Sequence, residues 1–113
     1  MISRRFVALA LAIGLSVFVA PKIGLAADEH ITQAISHTKE AITAGKAGHA
    51  ADVVTHSEAA LKHAELAEKE KATEHTEEAI THLKEAIDSG KQGHADVATS
   101  YAEKALKQLD EVK

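Results

Sequence analysis

The sequence overlays itself when shifted by 45 residues, and this internal repeat limits the fold more than any other feature. HITQAISHTKEAITAGKAGHA, residues 30–50, lies over HTEEAITHLKEAIDSGKQGHA, residues 75–95. Ala34, Ile35, His37, Lys39, Glu40, Ala41, Ile42, Gly45, Lys46, Gly48 and His49 all recur 45 positions later. Further on the match thins, but Glu58, Leu61 and Lys62 still find Glu103, Leu106 and Lys107. Both halves must therefore satisfy one fold. Each is rich in Ala, Glu, Lys and Leu, which favour helix, and its apolar residues recur at helical spacing. Ile31, Ala34, Ile35, Ala41 and Ile42 form one stripe; Ala79, Ile80, Leu83, Ala86 and Ile87 form the matching one. Glycines at 45 and 48, and again at 90 and 93, stop a helix in each half. Each half reads as a helical hairpin.

The histidines locate the remaining turn. His30, His37, His49, His56, His63, His75, His82 and His94 are separated by 7, 12, 7, 7, 12, 7 and 12 residues. Seven residues return a helical side chain to nearly the same face, lagging by ~20°. Twelve residues, at about 3.6 per turn, rotate it by about 120°. Two of the longer intervals span the glycine turns. The third, from His63 to His75, contains no Gly or Pro, yet a continuous helix there would swing its apolar stripe off the core. A turn is expected near Glu70 to Thr73, with Thr73 as the N-cap. Four helices follow, at about 29–44, 49–69, 74–88 and 94–112, and short connections favour an up-down-up-down arrangement. The expected fold is all-α: a four-helix bundle built from a duplicated hairpin, with repeat halves at about 30–72 and 75–113.

Residues 1–27, MISRRFVALALAIGLSVFVAPKIGLAA, have the layout of a secretory signal peptide. Arg4 and Arg5 precede an uncharged run from Phe6 to Ala20. Gly24, Ala26 and Ala27 offer cleavage after Ala26 or Ala27. The run is shorter than the roughly 20 residues of a spanning helix, and Pro21 and Lys22 end it. The expected mature protein, residues 28–113, is periplasmic and has no membrane attachment. It keeps all 17 acidic residues but loses Arg4, Arg5 and Lys22 from the 13 basic ones. That acidic balance argues against nucleic acid and suits attraction of cations. There is no cysteine, and the only methionine is Met1, so disulfides, thiol chemistry and sulfur ligands are excluded.

Each histidine precedes an apolar-stripe position, about 100° from it on the helix wheel, so the imidazoles line the shoulders of the bundle. Imidazoles seven residues apart stand roughly 10.5 Å apart along one helix and cannot grip one ion. Chelation within a helix needs three- or four-residue spacing. His49-Asp52-His56 and His75-Glu78-His82 nest a carboxylate at that spacing, so Asp52 and Glu78 can each join an imidazole as an N,O clamp. In His30-Gln33-His37 the middle donor is a weaker amide. Further carboxylates follow His37 and His82 by three residues, at Glu40 and Glu85. Glu40 also belongs with Glu58, Glu65, Glu77 and Glu103 to the charged outer faces that serve solubility. Imidazole and carboxylate without sulfur suit Cu(II), Ni(II) or Zn(II), and the usual stability order favours Cu(II). Any one shoulder histidine is ordinarily a solvated polar residue; the shared register of all eight is what points to ligands. No phosphate loop or acid/base pair suggests an enzyme, and Ser57 diverges from His56 by about 100° on a helix. Haem needs a histidine aimed into the core, often with a methionine. The competing expectation is a metal-independent periplasmic helical interaction or stress protein.

HTEEAITHLKEAIDSGKQGHADVATSYAEKALKQL resembles the periplasmic small metal-binding protein (SmbP) family. That family combines a signal peptide, heptads of the H-x-x-E-A-[IV]-x-H kind, a G-K-x-G-H turn and a four-helix bundle. The turn occurs twice here, at Gly45-Lys46-Ala47-Gly48-His49 and Gly90-Lys91-Gln92-Gly93-His94. The resemblance covers the whole expected mature chain. It implies binding of several divalent metal ions, copper especially, as periplasmic sequestration or buffering. It also implies His30, His37, His49, His56, His63, His75, His82 and His94 as ligands; Asp52 and Glu78 join them from the spacing. This chain departs from the pattern where Tyr101 and Gln108 replace the repeat's His56 and His63, which leaves the fourth helix a structural role.

Overall fold

The computed structural model describes residues 22–112. Most of the expected signal peptide, residues 1–21, lies outside them. Four helices follow in order: α1 Lys22–Lys46, α2 Ala50–Glu70, α3 Glu74–Lys91 and α4 Ala95–Val112. Among the described residues there is no strand, and no helix is long and apolar enough to cross a membrane. α1 packs on α2 and α4, and α3 on α2 and α4, which is the up-down-up-down bundle.

The turns are built as the composition requires. Gly48 and Gly93 have φ of 82° and 84°, a left-handed conformation that suits glycine. At the first cap, the His49 N–H donates to the Ala44 carbonyl at 2.9 Å and the Gly48 N–H to the Gly45 carbonyl at 2.9 Å. The second cap repeats this with His94 on Ser89 and Gly93 on Gly90. The turn without glycine ends α2 with Lys71 in extended backbone. It then opens α3 with Thr73, whose hydroxyl accepts the Thr76 N–H at 3.0 Å.

α1 begins well before residue 29 and runs through both expected cleavage positions. Nothing between Lys22 and Asp28 stops a helix, and Ala27, 8% exposed, lies with Ile31, Ala67 and Val112 around a small cavity at the bundle end.

Small residues let the helices approach closely. The fully buried set is mostly alanine, with Val53, Leu83 and Leu109 as its largest apolar members. A β-carbon on Gly45 would collide with Thr99, and one on Gly90 with the Val54 side chain. These are equivalent contacts made reciprocally between the two halves, because Thr99 is Val54 shifted by one repeat. The exposed ion pairs Lys46–Glu103 and Lys91–Glu58, both 3.9 Å, obey the same relation. Such surface pairs contribute little stability. They show that the duplication survives in three dimensions as two equivalent interfaces between the hairpins, α1/α4 and α2/α3, while the α1/α2 and α3/α4 seams lie within the hairpins.

Candidate metal centre

Antiparallel pairing across the first glycine turn places His37 of α1 opposite His56 of α2. Glu40 stands one turn after His37 and reaches both. Its Oε1 lies 3.1 Å from His37 Nδ1 and 3.3 Å from His56 Nδ1. Ligand atoms of all three residues fall within 4.8 Å of one another, the one group of three or more potential ligands that converges so among the described residues. The side chains are 30%, 52% and 36% exposed, so an ion can enter from solvent and keep water as its remaining ligands.

The seam continues in both directions. His30 Nδ1 is 3.1 Å from His63 Nδ1. His63 also stacks on His37, with ring centroids 5.7 Å apart and planes 9° from parallel. Toward the turn, His49 Nδ1 lies 3.8 Å from Asp52, both exposed. A groove bordered by Glu40, His56, His49 and Asp52 joins that pair to the three-residue group. Five histidines and two carboxylates thus share one seam.

The distances suit coordination. Two nitrogens each about 2.0–2.1 Å from one ion lie ~2.8–3.4 Å apart, for angles between square-planar and tetrahedral. The His30–His63 separation falls in that range, as do the contacts of Glu40 with its two imidazoles. Without metal, imidazole N–H groups donate to Glu40. With metal, the imidazoles take the tautomer protonated on Nε2 and offer the Nδ1 lone pair. Burial, then the neighbouring His30 and His37, hold the His63 pKa below its ordinary value. It stays in the neutral, ligand-ready form.

The α3/α4 seam differs at each rung. His75 Nδ1 lies 2.7 Å from Gln108 Oε1 and its Nε2 3.4 Å from Glu111. Both nitrogens face oxygen acceptors. The Gln108 hydrogen bond, aided by Glu111, Glu78 and Glu74 against partial desolvation, raises the His75 pKa and favours the imidazolium. A protonated imidazole has no free lone pair. His82 Nδ1 lies 3.0 Å from Glu85, but opposite it stands Tyr101, with ring centroids 6.3 Å apart. Lys104 adds a positive charge 5.3 Å from the Tyr101 ring centroid. His94 is exposed.

The nested carboxylates fare differently from Glu40. Asp52 approaches His49, while His56 turns to Glu40 on the neighbouring helix. Glu78 is exposed, forms no ion pair with His75 or His82, and acts on His75 only at longer range. Spacing within a helix had marked Glu40 only as a carboxylate following His37. Counting outward from the glycine turn would have paired His37 with His56 and placed Glu40 between them.

Fold and site together define a helical bundle whose histidine-carboxylate seam is suited to holding transition-metal ions. The sequence matches the family described as Small metal-binding protein over residues 4–112, nearly its whole length, and the chain belongs to that family. No curated protein matches it.

Proposed function

We propose that the protein binds and buffers divalent transition-metal ions in the periplasm, with Cu(II) as the main cargo and Ni(II) and Zn(II) as lesser ones. The observation that carries this reading is one Glu40 oxygen lying between imidazoles from two helices. His37, Glu40 and His56 hold one ion, and His30 with His63 can hold another. Donors from two helices, half open to water, suit reversible loading better than permanent burial. The acidic surface attracts cations, and the sulfur-free donor set matches Cu(II). The leader that resembles a signal peptide supports export.

Calorimetric titration of residues 28–113 with glycine-buffered Cu(II) tests this. Near neutral pH, more than one site of micromolar or tighter affinity is expected. Most binding is lost at about pH 5.5, where imidazole protonates. Glu40→Gln and His56→Ala each weaken one site. No heat beyond the glycine control would end the metal reading and leave the metal-independent helical protein.

A further inference from the structure

Asp28, Glu29 and His30 become the first three residues if the leader is removed after Ala27. We propose that this processed terminus is itself a Cu(II) and Ni(II) site. The Asp28 amine, the backbone nitrogens of Glu29 and His30, and His30 Nδ1 form one square plane around the ion. The inference rests on the export reading above and gives a site of different chemistry, which competes with the His30–His63 pair of the helix seam for His30.

The covalent geometry sets the arrangement. Successive backbone nitrogens are separated by two carbons, so each neighbouring pair closes a five-membered ring with the ion. His30 N and His30 Nδ1 are separated by three carbons and close a six-membered ring. Four nitrogens in a plane match the preference of Cu(II) and Ni(II), whereas Zn(II) favours a tetrahedron. Binding releases the two amide protons to solvent, along with the amine proton where the amine is charged. If the leader were instead cut after Ala26, the imidazole would sit in fourth position and this ring sequence would be broken.

The structure makes the terminus available only after processing. In the full chain α1 starts at Lys22, and the Glu29 and His30 amides lie inside it. Cut before Asp28, they join the first four amides of a helix, which have no carbonyl four residues back to bond. Their own protons then belong to no helical hydrogen bond, and the plane costs only the bonds that the first carbonyls accept. Asp28 and Glu29 are exposed, so nothing in the bundle holds them. Ile31, 2% exposed, pins α1 immediately afterwards, so the plane forms by unwinding three residues. His30 Nδ1, which faces His63 at 3.1 Å, then leaves that pair.

The experiment begins with the intact mass of the exported protein, which is expected to start at Asp28. That chain is compared with His30→Ala, His63→Ala and a form carrying one extra alanine before Asp28. Ni(II) is the first probe, because a square plane of nitrogens makes it diamagnetic. Cu(II) is the second, read by nitrogen hyperfine splitting in its electron paramagnetic resonance spectrum. One equivalent of diamagnetic Ni(II), and a four-nitrogen Cu(II) signal, are expected in the Asp28 chain and in His63→Ala. Both should be lost in His30→Ala and weakened at least about a hundredfold by the extra alanine. A mature chain starting at Ala27, an Asp28 chain without the square-planar signal, or a signal unchanged by the extra alanine would each overturn the proposal. Zn(II) binding by the extended chain reads the α1/α2 seam separately, so the buffering function stands or falls on its own result.

Discussion

The α1/α2 and α3/α4 seams share a backbone plan and differ in what they can hold. Where the first has His63, the second has Gln108; where the first has His56, the second has Tyr101. The consequences reach beyond missing ligands. Gln108 and Glu111 occupy both nitrogens of His75, and Tyr101 brings Lys104 to the seam. Even the core differs. Thr38 and Ser57, both fully buried beneath the first seam, correspond to Leu83 and Ala102 beneath the second. The two halves keep one scaffold, and the substitutions along it leave three converging donors in the first seam and, among the described residues, none so grouped in the second.

The largest expected effect is on metal affinity. His56→Ala removes a donor that reaches across from α2, and Glu40→Gln removes the charge between two imidazoles. Each should weaken the tightest side-chain site by about tenfold or more, at least ~1.4 kcal/mol. His82→Ala, in the matching rung, should change that site by less than about threefold. Calorimetry of the four proteins checks the contrast, and equal losses in both seams would erase it.

Grafting tests the same difference in reverse. Tyr101→His with Gln108→His should give α3/α4 one further site and free His75 from Gln108. The expected readout is one added equivalent of Zn(II) at equilibrium dialysis. No gain would mean that these two side chains are not what separates the seams.

The two seams should also answer oppositely to acid when metal-free. His63 has a lowered folded-state pKa, so the unfolded chain takes up its proton first as pH falls. Its contribution is intact above about pH 6.5 and is lost as pH drops below that value. His75 has a raised pKa, so its contribution is complete below about pH 6.5 and is lost as pH rises through the folded-state value. Imidazole NMR titration should find His63 protonating below, and His75 above, the ordinary histidine range. The reverse order would contradict the description of both seams.

The smallest effect concerns Ser57. Its hydroxyl is buried without a hydrogen-bond partner, and the other half has alanine there. Ser57→Ala should be neutral or stabilise by about 1 kcal/mol, raising Tm by a few degrees. A clear loss of stability would mean that the hydroxyl has a partner in solution.

Much of the fold was legible because repeat and register constrain it twice over. The histidine intervals alone located the turn at Thr73, where no glycine or proline marks it. The start of α1 was not legible, because the same residues satisfy a cleavage pattern and a helix. The candidate site was legible in kind but not in membership. Spacing shows which residues share a helix face, and on that count Asp52 and Glu78 are alike, while Glu40 is both a carboxylate three residues after His37 and part of the charged outer face. Which residues meet depends on the register between helices and on side-chain rotamers. Those gave Glu40 two imidazoles, Asp52 one, and left Glu78 in solvent.

The most direct test is a titration of residues 28–113 with Zn(II), followed through the imidazole nitrogens by NMR. Zn(II) favours tetrahedral sites and keeps away from the square-planar terminus. The first additions should shift His37 and His56, with His30 and His63 next, while His75, His82 and His94 stay near their metal-free positions. Early shifts at His75 or His82, equal to those at His37 and His56, would contradict the claim that the α1/α2 seam is the metal-binding one.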